Sequence, residues 1–345
     1  MSKDFYDFFY ICDILTLKVV DNMVKKKKLR LKPDIFLYIA VIIVIIILAN
    51  KGLNAYKTYQ YHKTTEYKLI TIGYTKKEIK LLSKYYSEKE LVKFTKDKKK
   101  NKLLLNLMSN KYYLHKNLDT YLEYQDLNPN KKLEDVIKEV NIRHNYAYYE
   151  GTIQTDTSLN YEMLVNKYYY LTGEYEPDDL VTISTRYAWG AAGSKKIRSE
   201  VYEAFIKMHE AANSEGIYLM VNSAYRDYNS QERVYNQYKN NQGEAYADKI
   251  AARPGFSEHQ TGLALDIFSL KNSTQATFKD TDAYKWLKDN SYKYGFILRY
   301  PEGLEKITGY DFESWHYRYV GVDLAKKIYD SGLTFDEYYA YYIEK

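Results

Sequence analysis

Two short stretches of the chain carry side chains whose types and spacing suit hydrolytic chemistry. The first is Ser257-Glu-His259-Gln-Thr-Gly262-Leu-Ala264-Leu-Asp266, a loop running into an alternating segment that ends at Phe268. In a strand, Leu263, Leu265 and Ile267 face one side, and Ala264, Asp266 and Phe268 the other. An unpaired carboxylate in so apolar a strand would cost several kcal/mol, so Asp266 calls for a cation, a salt bridge or a capping role. The second stretch is Glu313-Ser-Trp-His316, an acid three residues before a histidine. Together they supply the parts of a hydrolytic metal site. His259, Asp266 and His316 are three N/O ligands, a fourth position is open to water, and Glu313 stands by as base. The remaining histidines, His62, His115, His144 and His209, have no ligand-type company and read as ordinary surface or core residues. A single cysteine, Cys12, excludes an internal disulfide framework and any multi-thiolate metal site.

Ser-x-His-x-x-Gly-x-Ala-x-Asp followed by Glu-x-Trp-His resembles the signature of the VanY-type D-alanyl-D-alanine carboxypeptidases. That family of zinc peptidases also includes peptidoglycan L,D-carboxypeptidases and cell-wall endopeptidases. A third match is Ser223-Ala-Tyr-Arg226 with Gln231 downstream, and Leu164-Val-Asn-Lys167 through Tyr175-Glu-Pro177-Asp-Asp-Leu180 is similar to the opening of such domains. The resemblance covers residues 160–345. Its one departure is Ala224 where Gly is usual, tolerable unless the backbone there needs positive φ.

The resemblance implies Zn2+ bound by His259, Asp266 and His316, with Glu313 as general base. Zinc lowers the pKa of water toward ~7 and polarises a scissile carbonyl. A carboxylate then carries the proton from that water to the departing amine. Arg226 is expected to face the substrate's terminal carboxylate or the oxyanion, work for a guanidinium fork that Lys does not match. Ser257 and Gln231 are expected to hydrogen-bond the peptide, with turn or cap formation as their alternative. Trp315 either walls the site or fills core. The implied reaction removes the terminal D-Ala from peptidoglycan stem peptides. An L,D-carboxypeptidase or a stem-peptide endopeptidase would use the same ligands. A non-catalytic wall-binding module predicts loss of a ligand or of the base, and none is missing.

The implied fold is α+β, a mainly antiparallel sheet flanked by helices with the zinc on one sheet face. Hydrophobic periodicity agrees, giving helices over 195–213, 230–239, 281–294 and 322–329 and strands over 218–224 and 263–268. Upstream, Thr75-Lys-Lys-Glu78 and Ser87-Glu-Lys-Glu90 have capping-box form. Apolar stretches at 103–108 and 133–140, with a turn at Asn128-Pro129-Asn130, complete a small helical region. Farther upstream a basic run, 25–32, precedes fifteen uncharged residues, Ile35 to Ala49. As a helix they span about 22 Å of a ~30 Å hydrocarbon core, with flanking polar side chains reaching the headgroups. Basic residues before the span keep the N-terminus inside, and no convincing small-x-small cleavage site follows it. The expected organisation is a cytoplasmic basic segment (1–34), a single-pass transmembrane signal anchor (35–50), a helical membrane-proximal region (51–155) and an extracytoplasmic zinc carboxypeptidase domain (156–345).

Composition bounds these readings. The 345 residues are 46% apolar and 28% charged, enough for a packed core. With 42 Tyr and 42 Lys, single residues of either type carry little signal. Residues 151–345 hold 22 basic and 28 acidic groups, a poor surface for nucleic acid. Residues 51–150 hold 21 and 12, a balance open to anionic wall polymers and equally to a Lys-rich solvated face.

Overall fold

The computed structural model describes residues 33–190, 195–270 and 275–344, so the basic run 25–32, Cys12 and the cytoplasmic reading of the N-terminus lie outside it. Two compact units are present, one ending at Lys102 and one beginning at Leu103. In the first, α1 (Pro33–His62) is 30 residues, about 45 Å at 1.5 Å per residue. The large apolar side chains from Ile35 to Leu48 are exposed along it. This helix is long and apolar enough to cross a membrane.

Three short helices follow, α2 (Thr65–Thr71), α3 (Lys76–Leu82) and α4 (Glu88–Phe94). Both expected capping boxes are formed. The Thr75 N–H donates to Glu78 (2.7 Å) and the Ser87 N–H to Glu90 (2.8 Å), satisfying donors that the first helical turn leaves open. Leu69, Ile79, Leu82 and Leu91 are the buried residues of these three helices, and Tyr74 is buried between α2 and α3.

The second unit begins one residue into α5 (Lys102–Met108) and continues with α6 (Leu118–Leu127) and α7 (Leu133–Asn141); the apolar faces of these helices bury Leu107, Tyr121, Val136 and Ile137. Three sheets follow. Strands β1 (Ile153–Gln154) and β2 (Tyr169–Tyr170) pair in parallel, and β3 (Leu180–Thr182) and β4 (Lys196–Arg198) antiparallel. The main sheet contains β5 (Leu219–Ser223), β6 (Ala264–Ser269), β7 (Phe296–Leu298) and β8 (His316–Tyr319) in the order β5-β6-β8-β7, antiparallel throughout. It packs with α8 (Ser199–Ser214) and α11 (Asp282–Asn290) through Phe205, Met208, Leu265, Ile267 and Leu287. Between them in sequence lie α9 (Tyr228–Gln242) and α10 (Glu244–Ile250), and the chain closes with α12 (Val322–Ser331) and α13 (Phe335–Tyr338).

The helix expected from 195 starts at Ser199 instead. Ile197 is fully buried between exposed Lys196 and half-buried Arg198, a two-residue period, and β4 pairs with β3 there. The helix expected over 281–294 ends at Asn290 and tightens into a 3-10 turn, Ser291–Tyr294, before Gly295.

Gly262 ends the 3-10 turn Glu258–Thr261 and starts the approach to β6, in the left-handed region at φ +64°. A Cβ there would lie 2.9 Å from Arg198 Cγ and 3.1 Å from Leu180 Cδ2. Left-handed backbone alone costs a non-glycine residue about 1–2 kcal/mol. Gly262→Ala should therefore lower unfolding free energy by at least that amount in urea titration of the folded protein; a variant as stable as the parent would contradict the assigned turn.

Candidate functional site

Antiparallel pairing sets Asp266 of β6 directly opposite His316 of β8, so the two side chains share one sheet face. Asp266 Oδ1 lies 3.1 Å from His316 Nδ1. His259 comes from the 3-10 turn before β6, where Ser257 Oγ accepts its N–H at 3.3 Å. The His259 ring hydrogen-bonds through Nδ1 to the Ala224 carbonyl (2.7 Å), which makes Nδ1 the protonated nitrogen and turns Nε2 toward Asp266 Oδ1, 3.5 Å away. Ala224 is not among the described non-glycine residues with positive φ, so the backbone accepts Ala where Gly is usual.

These three residues are buried, and their donor atoms all lie within 4.8 Å of one another. Two ligand atoms each about 2.0–2.1 Å from a tetrahedral ion sit about 3.3–3.4 Å apart. The 3.1 and 3.5 Å spacings bracket that edge, so the donor set fits one small divalent ion with N/O preference. Glu313 borders the set, with Oε2 3.7 Å from His316 Nδ1. Arg226, Gln231, Ser257, Glu313 and Trp315 line the same cleft.

Arg226 is fixed in place by its neighbours. Its Nη1 donates to Gln231 Oε1 (2.8 Å) and its Nη2 to Ser223 Oγ (3.1 Å). Gln231 also donates to the Ala252 carbonyl (2.7 Å), so both ends of its amide serve the protein. Ser257 caps the His259 turn, and Trp315 both lines the cleft and packs on the core.

Burial pushes the Glu313 carboxyl up to about 8, with Asp266 and Glu258 adding to it and His316 and Arg226 opposing. Burial also disfavours charge on both imidazoles. It wins at His259, whose pKa falls. At His316 the hydrogen bonds to Asp266 and Glu258 outweigh it and lift the pKa to about 9. For Asp266 burial works against the charge, but the two histidines hold it well below the usual carboxylate range.

Behind His259, Asp266 and His316 lies a buried ionic quartet that motif reading left unassigned. Glu258 Oε1 accepts from Arg299 Nε (2.8 Å) and Arg318 Nη1 (3.0 Å), while its Oε2 faces His316 Nε2 at 3.3 Å. Arg299 clamps Asp336 with both terminal nitrogens, at 2.6 and 3.0 Å. All four side chains are at most 3% exposed. Tyr300 lies against His316, ring centroids 4.9 Å apart. The available signal was choice of residue: in a chain with 42 Lys and nine Arg, an arginine close to a motif is the rarer cation and the one whose planar fork suits several acceptors at once.

A family model described as VanY, D-alanyl-D-alanine carboxypeptidase, matches residues 194–322. YodJ of Bacillus subtilis (strain 168) is 45% identical over 179 residues, 51% of this chain and 66% of that protein, just short of two thirds of its length. The bifunctional D-Ala-D-Ala dipeptidase and D-Ala-D-Ala carboxypeptidase VanXYC of Enterococcus gallinarum is 33% identical over 187 residues, 53% of this chain and 95% of that one. Among solved structures, that of the LdcB LD-carboxypeptidase matches with a TM-score of 0.52 and 42% identity, covering 56% of this chain and 91% of its own. The chain therefore belongs to the VanY family of D-alanyl-D-alanine carboxypeptidases.

Proposed function

We propose that residues 156–345 act as a zinc-dependent D-alanyl-D-alanine carboxypeptidase that trims the terminal D-Ala from peptidoglycan stem peptides. One observation carries the reading: three buried N/O donors within 4.8 Å of one another share a cleft with a raised-pKa glutamate and a fixed arginine. His259 Nε2, an Asp266 oxygen and His316 Nδ1 would hold the ion. When bound, zinc supplies Lewis acidity that acidifies water and polarises a peptide carbonyl.

The remaining work falls to side chains. Glu313 takes the proton of the attacking water and gives it to the departing D-Ala amine; its raised proton affinity suits that transfer near neutral pH. Arg226 has two N–H groups engaged by Gln231 and Ser223, and its others are offered to the terminal carboxylate of the stem. Gln231 thereby serves the substrate through Arg226, and Ser257 through the His259 turn.

The likeness to the LdcB LD-carboxypeptidase favours a second reading, L,D-cleavage of tetrapeptide stems. Both readings use one set of ligands, and the shape of the cleft around the penultimate residue decides between them. In the first reading α1 holds the domain at the outer membrane face, with its N-terminal end toward the cytoplasm.

Three outcomes are expected. Glu313→Gln should lower kcat by about 10²–10⁴-fold while zinc content by atomic absorption stays near one per chain, whereas His259→Ala should lose both. Wild-type turnover by the Gln variant would remove Glu313 from the mechanism. Mass spectrometry of purified protein with defined stems should show loss of one D-Ala from pentapeptides ending in D-Ala-D-Ala and little action on tetrapeptides; the reverse pattern would establish the L,D reading. Finally, the full chain should resist carbonate extraction from membranes and expose residues 156–345 to protease added outside spheroplasts.

A further inference from the structure

Glu258 lies outside the ligand set yet touches one of its members. Its carboxylate is fully buried, and Oε1 already accepts two hydrogen bonds, from Arg299 and Arg318. The other oxygen, Oε2, is 3.3 Å from His316 Nε2. A carboxylate held between two guanidinium groups can only accept, so the donor in this contact is His316 Nε2–H. In the neutral ring that ligation requires, a proton kept on Nε2 leaves the lone pair on Nδ1, and Nδ1 is the nitrogen that faces Asp266.

Resting on the metal-site reading above, we infer that Glu258 is the positioning residue of the metal centre, fixing the tautomer and ring direction in which His316 Nδ1 serves as ligand. The geometry gives the role a direction. Arg299 reaches Glu258 with its Nε while its terminal nitrogens grip Asp336 on α13. Arg318 reaches Glu258 with Nη1 while Nη2 donates to the carbonyls of Tyr161 (3.2 Å) and Met163 (2.7 Å). Each arginine is anchored on its far side, so Glu258 has a set orientation before any ion arrives. Tyr300 packs on the His316 ring and limits its rotation.

Glu258→Gln tests this with almost no change of volume. Both arginines donate only, so the Gln carbonyl must stay on them and the NH₂ must face His316. That donor drives the imidazole proton from Nε2 to Nδ1, the ligating nitrogen. Zinc Kd, measured by competition with a chromophoric chelator, should rise about 10–100-fold, the usual effect of removing a partner of a metal-binding histidine. Phe205→Leu, a fully buried change in α8 away from the cleft, is the control for lost stability and should leave zinc Kd unchanged. Wild-type zinc affinity in Glu258→Gln, or an equal loss in Phe205→Leu, would overturn the assignment.

A second measurement needs no variant and stands if Glu258→Gln does not fold. Long-range ¹H–¹⁵N correlation on the zinc-loaded wild-type protein should show His316 ligated through Nδ1 with its proton on Nε2. Ligation through Nε2 would refute the role of Glu258 while leaving the metal site intact. Absence of zinc binding by the wild-type protein would refute the metal site itself.

Discussion

A carboxylate that no solvent reaches, Glu258, sets the conditions under which the rest of the site can exist. Alone in the interior it would take up a proton rather than remain charged, because burial of an isolated ion costs far more than protonation. Two guanidinium groups on one of its oxygens remove that choice, and its pKa lies well below the carboxylate range. Asp336 then balances the extra positive charge on Arg299. Two acids and two arginines leave the quartet formally neutral, so it adds no net charge beside Asp266, His259 and His316, and Glu258 acts on His316 through their direct contact. Neutrality matters here because low dielectric makes every uncompensated charge act over a longer range.

Stability alone does not explain such an arrangement. Buried ion pairs gain little over well-packed apolar residues of similar volume, since desolvation offsets most of their attraction. What ions gain is direction. The quartet joins the turn before β6, the end of β7, strand β8 and helix α13, four pieces far apart in the chain. Arg318 on β8 also ties down the Tyr161 and Met163 carbonyls. Asn166 closes the other end, donating to Asp336 at 2.7 Å. Helix α13 is bound in turn to the helices that open the second unit, through Lys138 and Glu337 (3.3 Å), while the neighbouring turn stacks Tyr341 on Tyr112 at 4.1 Å. The segments flanking the family match thus share a continuous set of contacts with the residues behind His259, Asp266 and His316.

How much of this was legible in the sequence depended on the range of the interaction. Capping boxes at Thr75 and Ser87 are local chemistry and were readable as such. The alternation around Asp266 gave both the strand and the sense that its carboxylate needed a partner. That His316 stands directly opposite Asp266 is a matter of register, which one strand cannot announce by itself. The Lys196–Arg198 strand was absorbed into the following helix because three residues hold too few alternations to separate the two periods. Glu258 sat inside a motif, yet as one acid among 28 in residues 151–345 it had no local mark of burial. Asn166 and Asp336 meet across 170 residues, beyond the reach of any pattern. Tyr300 and Tyr310, which line the cleft, were hidden by an abundance of tyrosine that made each one uninformative.

Composition also contains the clearest physical contrast in the molecule. Where this chain needs only a positive charge it uses lysine, even inside: Lys167 is 2% exposed, donates to the Asp248 carbonyl at 2.5 Å and lies over the rings of Tyr148 and Tyr310, and burial pulls its pKa down to about 8. A compact ammonium suits that cage because nothing there asks for two directions at once. Arg299 must hold Glu258 on one side and both oxygens of Asp336 on another. Arg318 must reach a carboxylate and three carbonyls. Arg226 must keep Gln231 and Ser223 while turning further donors to the cleft. A planar fork of five donors that stays charged in the interior meets these demands, and a single rotating ammonium with a shiftable pKa does not. In a protein that otherwise favours lysine by more than four to one, arginine is retained at these positions because geometry, rather than charge, is what they require.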